Sequence, residues 1–447
     1  MEKKHHLIQF VCIAFVFVVL LLQGLTHWVK VKPLKGYENA EEQPVALNFD
    51  TYWDGTYQEY LTDHARRNTG FREFFIRSYN QMAYSCFRII TNDNVVEGAD
   101  RELFLKMYLD DLTGRSLSAH YDDVAEAKAD ARKNVMETLR LIDTLQAHGT
   151  QFLFLFAPTK PAVYPEKVPQ PYCDQVSEFS LEEYYLELFK EYGIPHIDFL
   201  NYFKAVRDTS AYPLYTRTGT HWARFTLPWV ADTVYRKLES LTEYHFPKVK
   251  VIDNNLTKRY TSMDLELEGN MNLLFPYPKP ELPVPIMVLT DTLESDRPNL
   301  LVIGDSYGNL LTSRNPPSVF TQAFHNWDFW IYNQKIYSSR ERYNWHQLNR
   351  EFQAWRVLEE ADIVLAVFTA PMYYNFMFEF PRTAQELYAK GYFNEEEALD
   401  IVTEIILRDS LWYSQVERQA EIRNITIEEA LEINAKYWLC HLKDGYN

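Results

Sequence analysis

One segment constrains the fold more than any other: Asn299-Leu300-Leu301-Val302-Ile303-Gly304-Asp305-Ser306-Tyr307-Gly308-Asn309. It opens as a short apolar run and ends in Gly-Asp-Ser-Tyr-Gly. A run of this length suits a strand buried on both faces of a parallel sheet. Open α/β sheets place their chemistry at the carboxyl ends of strands, where these polar residues fall. Gly304 and Gly308 permit a tight turn and close backbone approach. Ser306 then stands at the strand tip, beside free N–H groups able to stabilise an oxyanion. The same letters also fit an ordinary strand-to-helix connection in which Ser306 caps a helix. A histidine able to activate the serine favours the catalytic reading.

The neighbouring segments have the same grain. Asp122–His148 carries Val124, Ala127, Ala131, Val135, Leu139, Ile142 and Leu145 at helical spacing, with Gly149 as its stop. Phe152–Phe156 follows as a buried strand ending in Ala157-Pro158-Thr159-Lys160. Leu181–Tyr192 reads as a helix, Ile194–Phe199 as a short strand, Thr226–Leu241 and Leu348–Glu360 as helices, and Asp362–Phe368 as another buried strand. Helix, strand and polar tip in succession are the units of an α/β sheet. Upstream, Leu61–Phe87 is largely helical with a break at Asn68–Gly70, and Val95–Phe104 reads as two short strands around a turn. Residues 242–298 are rich in Pro and weak in pattern, suiting a sheet insertion or a substrate-side loop. The tail from Glu395 to Leu439 is helical in pattern.

Leu7–Leu25 is almost uninterrupted in its apolar character, with only Gln9 and Gln23 strongly polar. Nineteen helical residues span roughly 28 Å, about one bilayer core. With no small-x-small cleavage site just beyond it, the run reads as an uncleaved anchor. Lysines flank both ends, so their count does not orient it. The expected organisation is a short tail at 1–6, an anchor at 7–25, a linker at 26–48, an α/β domain at 49–380 and a helical extension at 381–447.

The formal charge of −17 argues against a smooth anionic partner such as nucleic acid. The four cysteines are far apart and no CxxC or HExxH spacing points to a metal. Neither GxGxxG nor a Walker A loop is present, so no cofactor is expected.

Taken together, Gly304-Asp305-Ser306-Tyr307, Thr218-Gly219-Thr220-His221-Trp222, Val95-Val96-Glu97-Gly98 and Ala157-Pro158-Thr159-Lys160 resemble the motifs of a known family. This is the SGNH-hydrolase-like family of bacterial exopolysaccharide O-acetylation proteins, of the alginate O-acetyltransferase and DHHW type. The resemblance covers roughly residues 50–375, and its histidine block precedes its serine block, as here. It implies a three-layer α/β domain with a parallel sheet, behind one transmembrane helix. It also implies transfer of an acetyl group to a polysaccharide hydroxyl through an acyl-serine. An esterase, or an inactive glycan-binding scaffold, is the alternative. The implied partners are a polysaccharide acceptor and a membrane-bound O-acyltransferase as acetyl donor. The implied location is the bacterial inner membrane, with the domain in the periplasm or outside the cell.

On that reading Ser306 is the nucleophile and His221 its general base. Gly304, Asp305, Tyr307, Gly308, Thr220 and Trp222 shape the site, with the Ser306 and Gly308 N–H groups as oxyanion donors. Trp327, Trp330 and Tyr332 are candidates for a sugar-binding surface, against their ordinary role in a core. One departure stands out. Relatives have Asp-x-His-Trp, with the aspartate as triad acid, and here that position is Gly219. A Ser–His dyad, an acid from elsewhere in the chain, or lost activity all remain open.

Overall fold

The computed structural model describes residues 2–36, 44–291, 297–313, 318–339, 350–389 and 395–443. Helix α1 (Glu2–Thr26) leads into α2 (Phe49–Trp53), α3 (Thr56–Arg67) and α4 (Arg72–Phe87). Strands β1 (Val95–Glu97) and β2 (Leu103–Leu105) pair as an antiparallel hairpin. The central sheet is built from β3 (Gln151–Ala157), β4 (His196–Asp198), β7 (Leu300–Gly304), β8 (Trp327–Ile331), β9 (Lys335–Ser338) and β10 (Ile363–Thr369). Its order is β4-β3-β10-β7-β8-β9. The first five run parallel and β9 closes the edge antiparallel to β8. The sheet is therefore mixed rather than purely parallel. The antiparallel edge follows from the short reversal at Tyr332-Asn333-Gln334, where Tyr332 and Asn333 take positive φ.

β7 and β10 are buried along their whole length. Central strands covered by helices on both faces read as continuous apolar runs for this reason. Alternate residues feed two cores. Phe154, Leu301, Val364 and Ala366 pack beneath the helix Val124–Ala147 and its neighbours. Leu155, Val302, Leu365 and Val367 pack beneath the helix Leu227–Glu239. Truncating a residue such as Leu365 to Ala would cost about 2–5 kcal/mol.

Residues 242–298 hold a second antiparallel pair, β5 (Lys248–Thr257) and β6 (Leu282–Thr290). Pro283 and Pro285 lie within β6, which a two-stranded ribbon tolerates because its outer edge needs no donors. Between the two strands the chain makes the short helix Glu266–Met271.

The main core extends past residue 380, because Phe380 and Ala384 of the helix Phe380–Ala389 are buried in it. Three further helices, Glu395–Arg408, Ser410–Arg423 and Ile427–Lys443, bury a small core of their own around Val402, Ile406 and Val416.

Helix α1 is long and apolar enough to cross a membrane: His5–Thr26 has a mean hydropathy of 2.6, and its side chains are almost all exposed. The following segment is not a free linker throughout. Arg77 donates to the carbonyls of Lys32 and Pro33 at 2.8 Å each. Lys35 exchanges backbone hydrogen bonds with the Asn272 amide, at 2.9 and 2.8 Å.

Candidate active site

β7 ends in a glycine, Gly304, where no side chain fits: a Cβ would lie 2.2 Å from the Val367 carbonyl oxygen. Asp305 N–H donates to that same carbonyl at 3.2 Å. The Asp305 carboxylate accepts from the N–H groups of Tyr307 and Thr369, both at 2.8 Å, so it ties the tip of β7 to the tip of β10. Burial pushes this carboxyl up to about 6, against the pull of those two N–H groups. Gly308 closes the turn, its N–H donating to Asp305 O at 3.1 Å. Its missing side chain makes room for the Phe329 ring, 2.7 Å from where a Cβ would be. Ser306 projects from this turn, half-buried.

The histidine loop arrives from the other side of the sheet's carboxyl end. Tyr215 and Trp222 bridge antiparallel and close it at its base. His221 is buried, and its Nε2 lies 2.8 Å from Ser306 Oγ. The Tyr307 hydroxyl donates to Thr220 O at 2.9 Å, and the Tyr307 ring packs against both His221 and Trp222. Underneath, the Lys160 ammonium donates to Leu103 O, Thr216 O and Arg217 O at 2.9, 2.8 and 3.1 Å. It also pairs with Glu102 at 2.8 Å, both side chains being almost completely buried. Burial lowers Lys160 to about 8 while Glu102 opposes that fall. Burial would raise Glu102, but Lys160 and Lys167 hold it below its ordinary range. The pair is best described as ionised, since every nearby partner of Lys160 is an acceptor.

On the far side of the imidazole stands Glu266. Its Oε2 is 3.1 Å from His221 Nδ1 and accepts from Thr220 Oγ1 at 2.6 Å. Burial would raise Glu266, but the bonds to His221 and Thr220 and the charge of Lys35 keep it below the usual glutamate value. The segment before it is stitched to the histidine loop. Thr218 Oγ1 donates to Asp264 O at 2.7 Å, and Leu267 N–H donates to Thr218 O at 3.0 Å. The Asp264 carboxylate in turn accepts from Thr261 and from Arg224.

These contacts account for Gly219. A Cβ there would lie 2.6 Å from Thr216 Oγ1 and 2.7 Å from Met263 O. The backbone that delivers Glu266 fills the space an aspartate at 219 would need. Sequence reasoning missed Glu266, which lies in a stretch without periodicity. It also read Lys160 only as part of a motif. An empty acid position was the one available hint that a carboxylate arrives from elsewhere.

Other expectations are redrawn. The Gly308 N–H is engaged within the turn, so it is not a free oxyanion donor. Trp330 is buried in the core against Phe380, and cannot form a sugar surface. Trp327 pairs with Leu300, at the opposite end of the strands from Ser306. Only Tyr332 of that set reaches the site. Its N–H donates to Gly304 O at 2.9 Å. Burial raises its phenol, while hydrogen bonding from Ser306 draws it back. Trp222 and Tyr307 are buried supports. A cavity of about 580 Å³ opens beside His221, walled by Arg224, Asp264, Met287, Asn309 and Ser318 among others. Among the described residues no cluster of His, Cys, Asp and Glu is arranged to hold a metal ion.

The family model described as "SGNH hydrolase-like domain, acetyltransferase AlgX" matches residues 95–320, half of the chain. The chain belongs to this family. Among solved structures it is similar to the O-acetyltransferase domain of Pseudomonas putida AlgJ, at 18% identity and TM-score 0.40, over 66% of this chain and 99% of that one. It is similar also to Pseudomonas aeruginosa AlgX, at 14% identity and TM-score 0.39, over 64% and 65% of the two chains. Bacillus cereus PatB1 with a sulfonyl adduct matches at 12% identity and TM-score 0.37, over 57% and 93%. No curated protein gives a significant match.

Proposed function

We propose that this AlgX-family protein transfers an acetyl group to a polysaccharide hydroxyl through an acetyl-Ser306 intermediate. The observation that carries the reading is the continuous chain Ser306 Oγ, His221 Nε2, His221 Nδ1, Glu266 Oε2, with links of 2.8 and 3.1 Å. This is the arrangement in which a hydroxyl becomes a nucleophile near neutral pH.

Ser306 Oγ attacks the carbonyl carbon of an acetyl ester, and its proton passes to His221 Nε2. The tetrahedral oxyanion forms beside Tyr332, whose phenol lies within hydrogen-bonding range of Ser306 and supplies the side-chain donor. Collapse expels the donor alkoxide, which takes the proton from His221 and leaves acetyl-Ser306. A sugar hydroxyl then gives its proton to His221 and attacks the acetyl carbon. The second collapse returns the proton to Ser306 Oγ. Glu266 keeps the Nδ1–H tautomer and stabilises the imidazolium formed in each half. In this reading Gly219 marks a relocated acid, and no longer favours an inactive scaffold.

The acceptor is a cell-envelope glycan, and the acetyl donor is a membrane-bound O-acyltransferase next to α1. The α/β domain lies on the periplasmic or outer face of the bacterial inner membrane. Intact-mass analysis of the detergent-solubilised full chain with p-nitrophenyl acetate tests the reaction. A one-acetyl adduct on wild type and none on Ser306→Ala is expected; an equal adduct on both would sink the covalent route. Transfer to added oligosaccharide separates a transferase from an esterase, which releases acetate alone.

A further inference from the structure

Two of the helices that follow the anchor have no interior. α2 and α3 contain no buried residue, and α4 buries only Asn80, Ala83 and Tyr84. The other side of α4 carries Phe75, Tyr79 and Met82, which lie four and three residues apart on one helical stripe. They are 52%, 60% and 55% exposed, and Phe74 beside them is 46% exposed. Helices this short do not hold themselves in water, and an aromatic stripe of this kind marks a face that something covers.

The path of α1 indicates what covers it. A Cβ on Gly70 would lie 2.2 Å from Leu20 O, and one on Gly24 would lie 2.2 Å from Asn68 O. The α3–α4 turn is thus in backbone contact with the last turns of α1. Leu20 sits about 9 Å short of Thr26 along the helix axis. If residues 7–25 fill the hydrocarbon core, a turn seated at Leu20–Gly24 reaches from about 8 Å inside the acyl layer out to its boundary with the headgroups. From there α4 follows the departing chain, reaching Lys32 and Pro33 with Arg77. Phe74 and Phe75 come within one turn of Gly70, close to the same depth. Arg66, Arg67, Arg72 and Lys30 lie near this turn in the sequence, with Asp63 and Glu73 among them and Arg66 paired to Asp63 at 3.4 Å. Aromatic rings with basic neighbours are the composition of an interfacial segment.

We propose that the α3–α4 turn and the first turns of α4 are seated in the headgroup layer of the bilayer, around the point where α1 emerges, with Phe74 and Phe75 at the acyl boundary. The proposal rests on α1 spanning the membrane, and the experiment tests the two separately. Full-length chain with Cys86, Cys173 and Cys440 replaced by Ser is placed one copy per nanodisc of phosphatidylcholine and phosphatidylglycerol. A nitroxide on native Cys12 reports α1. A nitroxide on Phe75→Cys, in a chain with Cys12→Ser, reports the turn. Lys133→Cys, on the exposed face of the helix Val124–Ala147, gives the aqueous reference. Because Phe75 and Lys133 are both exposed, neither label disturbs a packed interior.

The expected result is that the Phe75→Cys label collides with a water-soluble nickel chelate several-fold less, and with oxygen more, than the Lys133→Cys label. Equal nickel collision at the two sites, with Cys12 still shielded, overturns the proposal and leaves the span intact. It would assign the face to another protein. Shielding that appears only in discs carrying two copies also overturns it, in favour of self-association. Nickel access at Cys12 removes the span, and the proposal with it.

Discussion

Ser306 stands on a turn fastened by local groups: backbone N–H and carbonyl groups and the neighbouring Asp305 carboxylate, all within a few residues or on the adjoining strand. His221 stands on a loop fastened to distant segments by polar contacts: Lys160, paired with Glu102, on its carbonyls, the Asp264 carbonyl on Thr218, and Glu266 on the imidazole. The two side chains meet at 2.8 Å, yet the first is positioned by the sheet and the second by a polar lattice of high sequence separation. A strand tip keeps its place as long as the sheet does. A loop held by charges and hydroxyls loses its place when any one of them is removed.

The largest effect belongs to the nucleophile. Ser306→Ala should lower acetyl transfer by about 10⁴-fold or more while leaving the melting temperature almost unchanged, because the turn's own bonds do not involve Oγ. A large loss of stability in that variant would break the contrast. Lys160→Met comes next. It leaves Glu102 buried without its main partner and should cost about 3–5 kcal/mol. Hydrogen exchange should rise at 216–222 before it rises at 300–309; simultaneous loss at both would mean the two regions are one cooperative unit.

Glu266→Gln should lower kcat by about 10²-fold with little change in KM. The loss is smaller than for a fully enclosed acid because this carboxylate keeps 40% side-chain exposure. Retained activity would make the site a Ser–His dyad. The pair also has a pH signature. The bonds to His221 and Thr220 hold Glu266 below its ordinary range in the folded chain, so its stabilising contribution is present above the unfolded glutamate value and is lost as pH falls through the lower folded one. The stability difference between wild type and Glu266→Gln should therefore vanish in acid. The smallest effect is Gly219→Asp, which should destabilise by about 1–3 kcal/mol through overpacking, and should not rescue Glu266→Gln. Rescue would show that the acid's usual place is still open.

The same contrast explains what the sequence revealed. The strands β3, β7 and β10, the helix Val124–Ala147 and the tip at Ser306 were legible because apolar runs, helical spacing and glycines are local signals. The histidine was legible through its neighbours Thr220 and Trp222, by resemblance. Glu266 was not, because nothing within ten residues of it distinguishes it from any other exposed glutamate; only the fold of 258–281 over the loop gives it a role. Trp330 illustrates the opposite error. Its ring suggested a sugar platform, but alternation along β8 turns it into the core. The antiparallel β9 was unforeseen because a four-residue edge strand carries too little pattern to read.

The fastening of Lys32, Pro33 and Lys35 to Arg77 and Asn272 sets a working height. Lys32 lies only six positions beyond Thr26, a reach of about 20 Å at full extension. A domain held on so short a stalk has little height to sweep above any bilayer that α1 spans. If α1 spans a bilayer and Ser306 is acylated as proposed, that chemistry is confined to a thin layer parallel to the bilayer, through which a polymeric acceptor would have to be threaded.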